Sequence, residues 1–534
     1  LSRRKAALGK LYKVARSSYG PNGKIKLIHN GLGGITVASS ASQVLLPALD
    51  RGDMLSRFLL ESARAHVQRC SDGGLFVLLF SVMLVQGCLH LGLESIIQLC
   101  QLCVEYLQSD CCRCRVQVDL SNLEQLLSLT RTVMMSKPAC LLTAEEAETM
   151  THLVLQAFLR TVPDGANAGQ GLGMTVLISV LGCGVEASRV LPGLLVNTTT
   201  QVDHFASLQV PKEFLVAVVS TSLAGDILEG GDEVLSYEVP LGMDEEQAVL
   251  SMLFRFGEWI VAAGVRLMVC QRVVHPLLMQ VLQDKGIVVL HRLGLEVMDP
   301  LLRLTGARPI GSFFSEPEST TYGVLRSLEP VKIGCKDFLL LQTSRSVPVC
   351  TLVLCHRTDA SLNELKIVCK VAEHLLQLVL KQSYALFGGG CTESHLATFV
   401  RHQVCSHLTR WAVKVLFAQN FASSLENVAK SLKPDGFLHL VDNKYVNNSS
   451  LMVSTLEGLH CACGLAVANS NLSWCTLGPT ETERKFEGQA LPATLPSPLL
   501  LDSFSARINA LLVAVETASV ILETKLIIEE SHLS

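Results

Sequence analysis

The sequence predicts an α+β protein of several domains, in which helical ends surround an α/β middle. At 534 residues the chain is longer than a single hydrophobic core usually serves. Helical spacing of apolar residues dominates before Met135 and after Ser361, whereas short β-rich runs alternate with helical segments between Gly193 and Ile310. Because apolar residues have helical spacing at both the beginning and the end of the chain, we expect its two ends to share one discontinuous outer domain.

The composition favours a chain that buries much of its surface. Hydrophobic residues make up 49% of it and charged residues 17%, against about 25% in average soluble proteins. We therefore expect extensive contacts between domains or with partner proteins. The net charge of -4 gives no general reason to expect nucleic-acid binding. The longest apolar run, Leu75–Val85, is shorter than the roughly 20 residues of a membrane-spanning helix, so we expect no membrane span.

The cysteines are typical of reduced, buried thiols in a cytosolic protein. The chain has 19 of them, and many lie in apolar segments. A zinc site is the alternative for one group, which consists of Cys100, Cys103, Cys111, Cys112 and Cys114. No histidine lies nearby in the sequence and the spacing matches no standard zinc site, so buried thiols are the preferred interpretation.

The first part of the chain is predicted to be helical, with one hairpin. The first helix covers Ala6–Ser18, where basic residues fit a solvated face, a mitochondrial presequence being the alternative. Strands Ile25–Ile28 and Ile35–Val37 flank Asn30-Gly31, a pair that suits a tight hairpin turn. The helices predicted next are Val44–Val67, Leu75–Val85, Ser95–Leu107 and Leu123–Met135.

The middle of the chain carries β-rich runs and the last part returns to helical spacing. Strands are predicted at Phe214–Ser220, Val265–Cys270 and Ile287–Leu290, with an exposed excursion at Gly230–Glu233. Helices are then predicted over Leu362–Lys381, onward to about Leu432, and over Phe504–Leu522.

One polar turn stands directly before the most apolar helix. Ser71 is placed to cap that helix and Asp72 to hold a cation. Gly73 and Gly74 leave backbone N–H groups open at the positive end of the helix, where a phosphate can bind. The alternative is an ordinary helix cap without a ligand.

Ordered motifs over nearly the whole chain resemble those of group II chaperonins, the TCP-1 and thermosome family. Tyr19–Gly23 is similar to LGPKG, Ser71–Phe76 to GDGTTS, and Gly388–Glu393 to the GGGAxE hinge. Cys270–Leu293, with the MDPLLRLTGARPI that follows it, is similar to the apical segment ending in KATGA. Leu501–Leu522 is similar to the closing motif of the family.

The resemblance implies the fold of a group II chaperonin subunit. A helical equatorial domain would comprise residues 1–122 and 388–534 and bind nucleotide. A small intermediate domain would comprise residues 123–190 and 346–387. An α/β apical domain, residues 191–345, would meet substrate protein.

The resemblance also implies a site for ATP with magnesium. Asp72 would hold the magnesium ion, and Asp72 and Glu364 would be the catalytic acids. The positions implied to bind nucleotide are Gly20, Pro21, Asp72, Gly73, Gly74, Gly388, Gly389, Gly390 and Asp502.

The catalytic positions depart from the family pattern. Ser40 stands where the family has an acid, and a hydroxyl neither holds a cation as a carboxylate does nor acts as a base unaided. Glu364 is one methylene longer than the family acid, and Asn363 replaces the histidine before it. Gly74 and Leu75 replace two threonines that would donate to phosphate oxygens. We therefore expect weakened nucleotide binding and weak or absent hydrolysis.

The leading functional hypothesis is a chaperonin-like subunit that holds protein clients. An apolar apical helix would provide the contact through Val274, Leu278 and Val281, the alternative being that this face packs on the sheet. The rival hypothesis is an ATP-hydrolysing folding subunit that works in a ring. A dinucleotide-binding enzyme is excluded because Gly31–Gly34 lacks the GxGxxG spacing and lies in a predicted hairpin.

The degenerate nucleotide motifs, together with Tyr19–Gly34 and the SKPAC of Ser136–Cys140, resemble a divergent branch of the family, the chaperonin-like proteins linked to Bardet-Biedl syndrome. That resemblance implies an assembly factor of the cytosol and the centrosome or basal body. Its partners would be other chaperonin-like subunits, the cytosolic chaperonin and subunits of the BBSome, the coat complex of ciliary trafficking.

Overall fold

A computed structural model gives the fold of most of the chain. It describes residues 2–29, 37–49, 53–88, 94–110, 112, 114–163, 171–197, 213–225, 245–406, 412–432, 438–442, 472–476 and 500–524. The predicted Asn30-Gly31 turn, the Gly230–Glu233 excursion and Cys111 lie outside these residues.

Helices and short strands alternate along the chain much as the apolar spacing predicts. The helices are α1 (Ser2–Ser18), α2 (Ser42–Ala48), α3 (Met54–Cys70), α4 (Gly74–Cys88), α5 (Glu94–Gln108), α6 (Leu123–Met135), α7 (Ala144–Thr161), α8 (Glu245–Ala262), α9 (Pro276–Asp284), α10 (Leu295–Thr305), α11 (Asp359–Lys381), α12 (Cys391–Ser406), α13 (Ala412–Leu432) and α14 (Phe504–Glu523). The strands are β1 (Lys26–Ile28), β2 (Val37–Ser39), β3 (Arg115–Gln117), β4 (Met174–Leu181), β5 (Arg189–Pro192), β6 (Leu194–Asn197), β7 (Phe214–Val219), β8 (Val265–Cys270), β9 (Val288–Leu290), β10 (Gly323–Leu325), β11 (Ser327–Ile333), β12 (Lys336–Gln342), β13 (Val349–His356), β14 (Tyr384–Phe387), β15 (Leu438–Asp442), β16 (Leu472–Thr476) and β17 (Leu501–Ser503).

The chain divides into two compact units. One unit contains residues 1–155 and 358–534, so both ends of the chain belong to it. The other contains residues 156–357. The finer division into equatorial, intermediate and apical segments, with limits at 122, 190, 345 and 387, stays a prediction.

Helix α4 forms the centre of the first unit. Its apolar residues are buried on every side, which is typical of a helix enclosed in the core of a large domain. It packs against α1, α3, α13 and α14. Each fully buried Leu or Phe side chain contributes about 1.5–3 kcal/mol of hydrophobic stabilisation. The burial of α4 therefore fixes its position in the core, and with it the position of the turn that directly precedes it. Cys100, Cys103, Cys112 and Cys114 lie in the same core, which confirms the expectation of buried thiols.

Two predicted elements of this unit need correction. The single helix predicted over Val44–Val67 is two helices, because α2 ends at Ala48 and α3 begins at Met54. Asp53 caps α3 by accepting a hydrogen bond from the Ser56 backbone N–H at 3.3 Å, which marks a new helix start. The second hairpin strand continues beyond its predicted end at Val37 to Ser39, with Ile28 paired to Val37 and Lys26 to Ser39; the predicted residues 35–36 lie outside the described ranges.

The second unit contains an α/β layer and two smaller sheets. Strands β7, β8 and β9 are parallel, and β10 joins β7 antiparallel. Along β8, Leu267 faces the core that α10 covers, and Met268 faces the core shared with α8 and α9. Helices cover both faces, as a parallel sheet requires. The smaller sheets have the orders β11-β12-β6 and β4-β13-β5.

Among the described residues, one helix is long and apolar enough to cross a membrane. This helix is α14, and about half of its apolar stretch is buried within the protein. It packs against α3, α4 and α5, which is the ordinary position of a core helix. The apolar composition of α14 is therefore weak evidence for a membrane span.

Candidate functional site

The polar turn between α3 and α4 begins with a left-handed residue. Ser71 has φ 62° and ends α3, with its backbone N–H donating to the Val67 carbonyl at 2.7 Å. Its hydroxyl lies 2.6 Å from Nδ1 of His374 on α11. The prediction that Ser71 caps the following helix is therefore wrong, since the residue closes the preceding helix instead.

The two glycines after Asp72 are held by close packing. Gly73 has φ 82°, and a Cβ added there would lie 2.7 Å from Nε2 of the buried His66. Gly74 begins α4, and a Cβ on it would overlap the side chain of Val67. The first backbone N–H groups of α4 have no partner within the helix and are therefore suited to binding an anion.

Asp72 is paired with an ammonium group. Lys137 Nζ lies 3.2 Å from Asp72 Oδ1, and the two side chains are 11% and 32% exposed, respectively. Burial raises the pKa of Asp72, but the Lys137 ammonium, the Gly73 backbone N–H and the Arg507 charge together outweigh it, and the net pKa lies below its ordinary value. Asp72 is therefore ionised at neutral pH and its charge is balanced within the protein.

Glu364 is buried and bound by two serines. Its Oε2 accepts from the Ser39 hydroxyl at 2.7 Å. Its Oε1 accepts from the Ser40 hydroxyl at 2.7 Å and from the Ser40 backbone N–H at 2.9 Å. The Ser40 oxygen in turn accepts from the Ala139 backbone N–H at 3.2 Å. This network, which we call the Glu364 clasp, ties α11 to β2 and to the segment after α6.

A second charged cluster surrounds Arg507, on α14. Its guanidinium pairs with Asp502 and lies 3.1 Å from Glu393 Oε1, and it stacks 4.8 Å above the centre of the Phe76 ring. Burial raises the pKa of Glu393, Arg507 offsets part of that rise, and Asp502 adds to it. Burial also raises the pKa of Tyr19, which directly follows α1; its hydroxyl oxygen accepts a hydrogen bond from Arg507, which offsets part of that rise.

The remaining predicted nucleotide positions lie around this cluster. Gly20, with φ 77°, follows Tyr19 and packs against Leu432, and Pro21 is exposed. The Gly388 backbone N–H donates to the Leu500 carbonyl at 2.9 Å, beside Asp502. Gly389 and Gly390 have φ 67° and 88°, and they lead into α12. Arg507 thus links three of the predicted motifs: the first glycine turn, the triple glycine and the acid of the closing segment.

Sequence reasoning missed several residues of the site. Arg507 was detectable as a basic residue in the first turns of an otherwise apolar helix. Lys137 lies between α6 and a turn that contains a proline. Its partner, Asp72, is 65 residues away in the sequence, and no local sequence pattern predicts that the two residues pair. His66, Ser39 and His374 had no such signal either.

The residues fit a polyphosphate better than they fit magnesium. Mg²⁺ prefers several oxygen ligands in near-octahedral order. Here Asp72 is already paired with Lys137, Ser40 offers only a hydroxyl, and both oxygens of Glu364 are bound. The described residues contain no group of three or more His, Cys, Asp or Glu side chains that could hold a metal ion. The N–H groups of α4 and the Lys137 ammonium fit a nucleotide polyphosphate, and a magnesium ion that bound with the phosphates would have Asp72 as its protein carboxylate.

The predicted client-binding helix has one buried and one exposed face. Val274 and Leu278 are buried in the core that includes Phe256, so two of the three chosen residues are not available at the surface. Val281 is exposed, and Leu277 is exposed beside it. His275 caps this helix by accepting from the Leu277 backbone N–H. Client binding by α9 stays a prediction, and its site is corrected to the face formed by Leu277 and Val281.

Comparison with known proteins identifies the family. Residues 11–532 match the model of the TCP-1/cpn60 chaperonin family. The chain belongs to this family. The chaperonin is 36% identical to the human and the mouse proteins named molecular chaperone MKKS, over 99% of this chain and 96% of each of those proteins. It is 22% identical to chicken T-complex protein 1 subunit theta, over 80% of this chain and 76% of that protein.

Two conclusions follow for this chaperonin. Its helices and mixed sheets form the fold of a group II chaperonin subunit. It is a divergent member that is similar to the MKKS proteins over almost its whole length.

Proposed function

We propose that this chaperonin holds protein clients during assembly and binds nucleotide without efficient hydrolysis. The Glu364 clasp is the observation that carries the proposal. A catalytic carboxylate must be free to position water or a metal ion, whereas both oxygens of Glu364 bind the protein itself. The N–H groups of α4 and Lys137 support retained nucleotide binding.

Steady-state ATP turnover of the purified protein tests this proposal. We expect turnover far below that of a thermosome assayed in parallel, with ATP binding detectable by calorimetry. Glu364→Gln should leave the residual turnover unchanged. Turnover like that of the thermosome, abolished by Glu364→Gln, would favour the alternative function of an ATP-hydrolysing subunit in a ring. The ionised Asp72 and the intact glycine turns are the features that favour this alternative.

We further propose that the clients include subunits of the BBSome. Similarity to the MKKS proteins and the divergent nucleotide site support this proposal. Other chaperonin-like subunits and the cytosolic chaperonin would be its partners, in the cytosol and at the centrosome or basal body. Purification of the native complex from ciliated cells, followed by gel filtration and mass spectrometry, tests it. A complex without BBSome subunits or chaperonin subunits would contradict it.

A further inference from the structure

We infer that Cys183 and Cys355 form a dithiol site, which hydrogen peroxide oxidises to a reversible disulfide across the ends of β4 and β13. These are the first and last strands described in the second unit, and Cys183 follows the end of β4 by two residues. The residues of the proposed nucleotide site all belong to the other unit. The test of this dithiol is therefore independent of the proposed nucleotide binding.

Backbone pairing holds the two cysteines at the same end of neighbouring strands. Strands β4 and β13 are parallel and pair as far as His356. Just beyond β4, the Gly182 N–H donates to the His356 carbonyl at 3.0 Å, which keeps the turn that carries Cys183 against the end of β13. The Cys355 backbone N–H donates to the Ser188 hydroxyl oxygen, also at 3.0 Å. Both cysteines are thus fixed by bonds close to their own backbone.

The two thiols meet at the edge of a small hydrophobic core. Cys355 is buried in the cluster that includes Val180 and Phe338, and Cys183 packs against that cluster. The two thiols share a hydrogen bond. Gly334 leaves room for the sulfur, since a Cβ added there would lie 2.6 Å from Cys183 Sγ. Two thiols in this contact need only a small side-chain movement to reach the length of a disulfide bond, about 2.05 Å.

The exposure of the two thiols sets their order of reaction. Cys183 is partly exposed, whereas Cys355 is buried. Burial raises the pKa of Cys355 to about 11, the Cys183 thiol adds to that rise, and Ser188 and Arg189 offset part of it. Cys355 is therefore protonated at neutral pH, and Cys183 is the thiol that an oxidant in solution reaches first.

The reaction proceeds in two steps. The Cys183 thiolate attacks one oxygen of hydrogen peroxide, the O–O bond breaks, and the sulfur becomes a sulfenic acid while the other oxygen leaves as water after taking up a proton. The Cys355 thiol then attacks the Cys183 sulfur. An S–S bond replaces the S–O bond, and the Cys355 proton leaves with the hydroxyl group as a second water. Two electrons pass from the sulfurs to the peroxide, and a dithiol reductant reverses the bond by exchange.

The disulfide would close the second unit into a covalent loop. The chain between the two cysteines contains most of the unit of residues 156–357. A bond that closes a long loop removes conformations from the unfolded chain, and the gain is larger for longer loops. We therefore expect oxidation to stabilise this unit against unfolding.

Peptide mapping of the full-length protein tests the inference before and after treatment with hydrogen peroxide. With free thiols alkylated, tryptic digestion without reductant should yield two peptides joined through Cys183 and Cys355, lighter by two hydrogen atoms than the separate peptides. Dithiothreitol should remove the link. Oxidation should raise the midpoint of urea unfolding by about 1 M. Cys183→Ser, shown to be folded by circular dichroism, should lose both the link and the shift.

Cys335→Ser is the matched control, because it removes a neighbouring thiol that is exposed on the turn between β11 and β12. It should form the link and show the shift as the unmodified protein does. A bond between Cys183 and Cys335 in place of the expected one would overturn the inference. So would oxidation of Cys183 that stops at a sulfenic or sulfinic acid. A link between Cys183 and Cys355 with no shift of the urea midpoint would overturn the stabilising role.

Discussion

At the scale of single residues, Ser40 decides what Glu364 can do. A serine donates a hydrogen bond to Glu364, whereas the acid of related chaperonins would place a second negative charge there. Both side chains are nearly inaccessible, with exposures of 1% for Ser40 and 2% for Glu364. A hydroxyl at position 40 therefore stabilises a buried carboxylate that would otherwise need a cation.

Restoring the acid should damage the protein rather than revive hydrolysis. We expect Ser40→Asp to lower the free energy of unfolding by about 3 kcal/mol, because it buries a second carboxylate directly beside that of Glu364. Ser40→Ala, which removes one hydrogen bond to a charged group, should cost about 1.5–3 kcal/mol. Urea unfolding and ATP turnover measure both effects. Unchanged stability of Ser40→Asp together with a gain of turnover would contradict our interpretation of the clasp.

His66 should make stability depend on pH. It is 1% exposed, and burial lowers its pKa below the ordinary value of 6.5. The unfolded chain therefore binds a proton before the folded chain does, and stability is lost as pH falls from 6.5 toward the folded pKa. The loss from this group is at most about 1.4 kcal/mol per pH unit.

Replacing this histidine should flatten the profile. His66→Gln is expected to reduce the slope of stability against pH below 6.5, in urea unfolding followed at half-unit intervals. His152→Gln is the control, because that side chain is 58% exposed. A slope that is equally steep in His66→Gln and in the unmodified protein would show that other groups set the pH dependence.

At the scale of elements, the regular parts of the fold were predictable and the pairings across the chain were not. Helix α6 occupies Leu123–Met135 as predicted, because its apolar spacing is regular and Asn122 caps it. The break between α2 and α3 was missed although Gly52 is a typical helix breaker and Asp53 a typical N-cap residue. Ser71 was assigned to the wrong helix because caps of both kinds favour small polar residues. The Glu364 clasp joins Ser40 and Glu364, which are 324 positions apart, and no local sequence pattern predicts such a contact.

Helix α9 gives the sharpest test at this scale, because neighbouring residues face opposite sides. Leu277 and Val281 are 48% and 41% exposed, whereas Leu278 is fully buried. The double variant Leu277→Ser, Val281→Ser should reduce capture of an unfolded model client several-fold with little change in melting temperature. Leu278→Ser should lower the free energy of unfolding by about 2–5 kcal/mol. Client capture unchanged in the double variant would show that clients bind elsewhere.

At the scale of the whole molecule, we expect nucleotide to stabilise the folded chaperonin by binding to it, and we do not expect its hydrolysis to drive conformational change. A ligand that binds only the folded state stabilises it in proportion to the logarithm of its concentration over its dissociation constant. The glycine turns, the Lys137 pair and the Arg507 cluster all belong to the unit of residues 1–155 and 358–534. Bound nucleotide would therefore stabilise the unit that contains both ends of the chain.

ADP, ATP and a non-hydrolysable ATP analogue should consequently have similar effects. We expect each to raise the melting temperature of the purified protein by a few degrees at saturating concentration, since a hundredfold excess over the dissociation constant gives about 2.7 kcal/mol. We also expect complexes with partner proteins to persist when ATP is added, because under the proposed function no efficient hydrolysis step drives release. Differential scanning fluorimetry and gel filtration measure the two effects. Release of partners by ATP but not by the analogue would require a working hydrolytic cycle and would contradict the role we propose for the Glu364 clasp, in which Ser39 and Ser40 occupy both carboxylate oxygens.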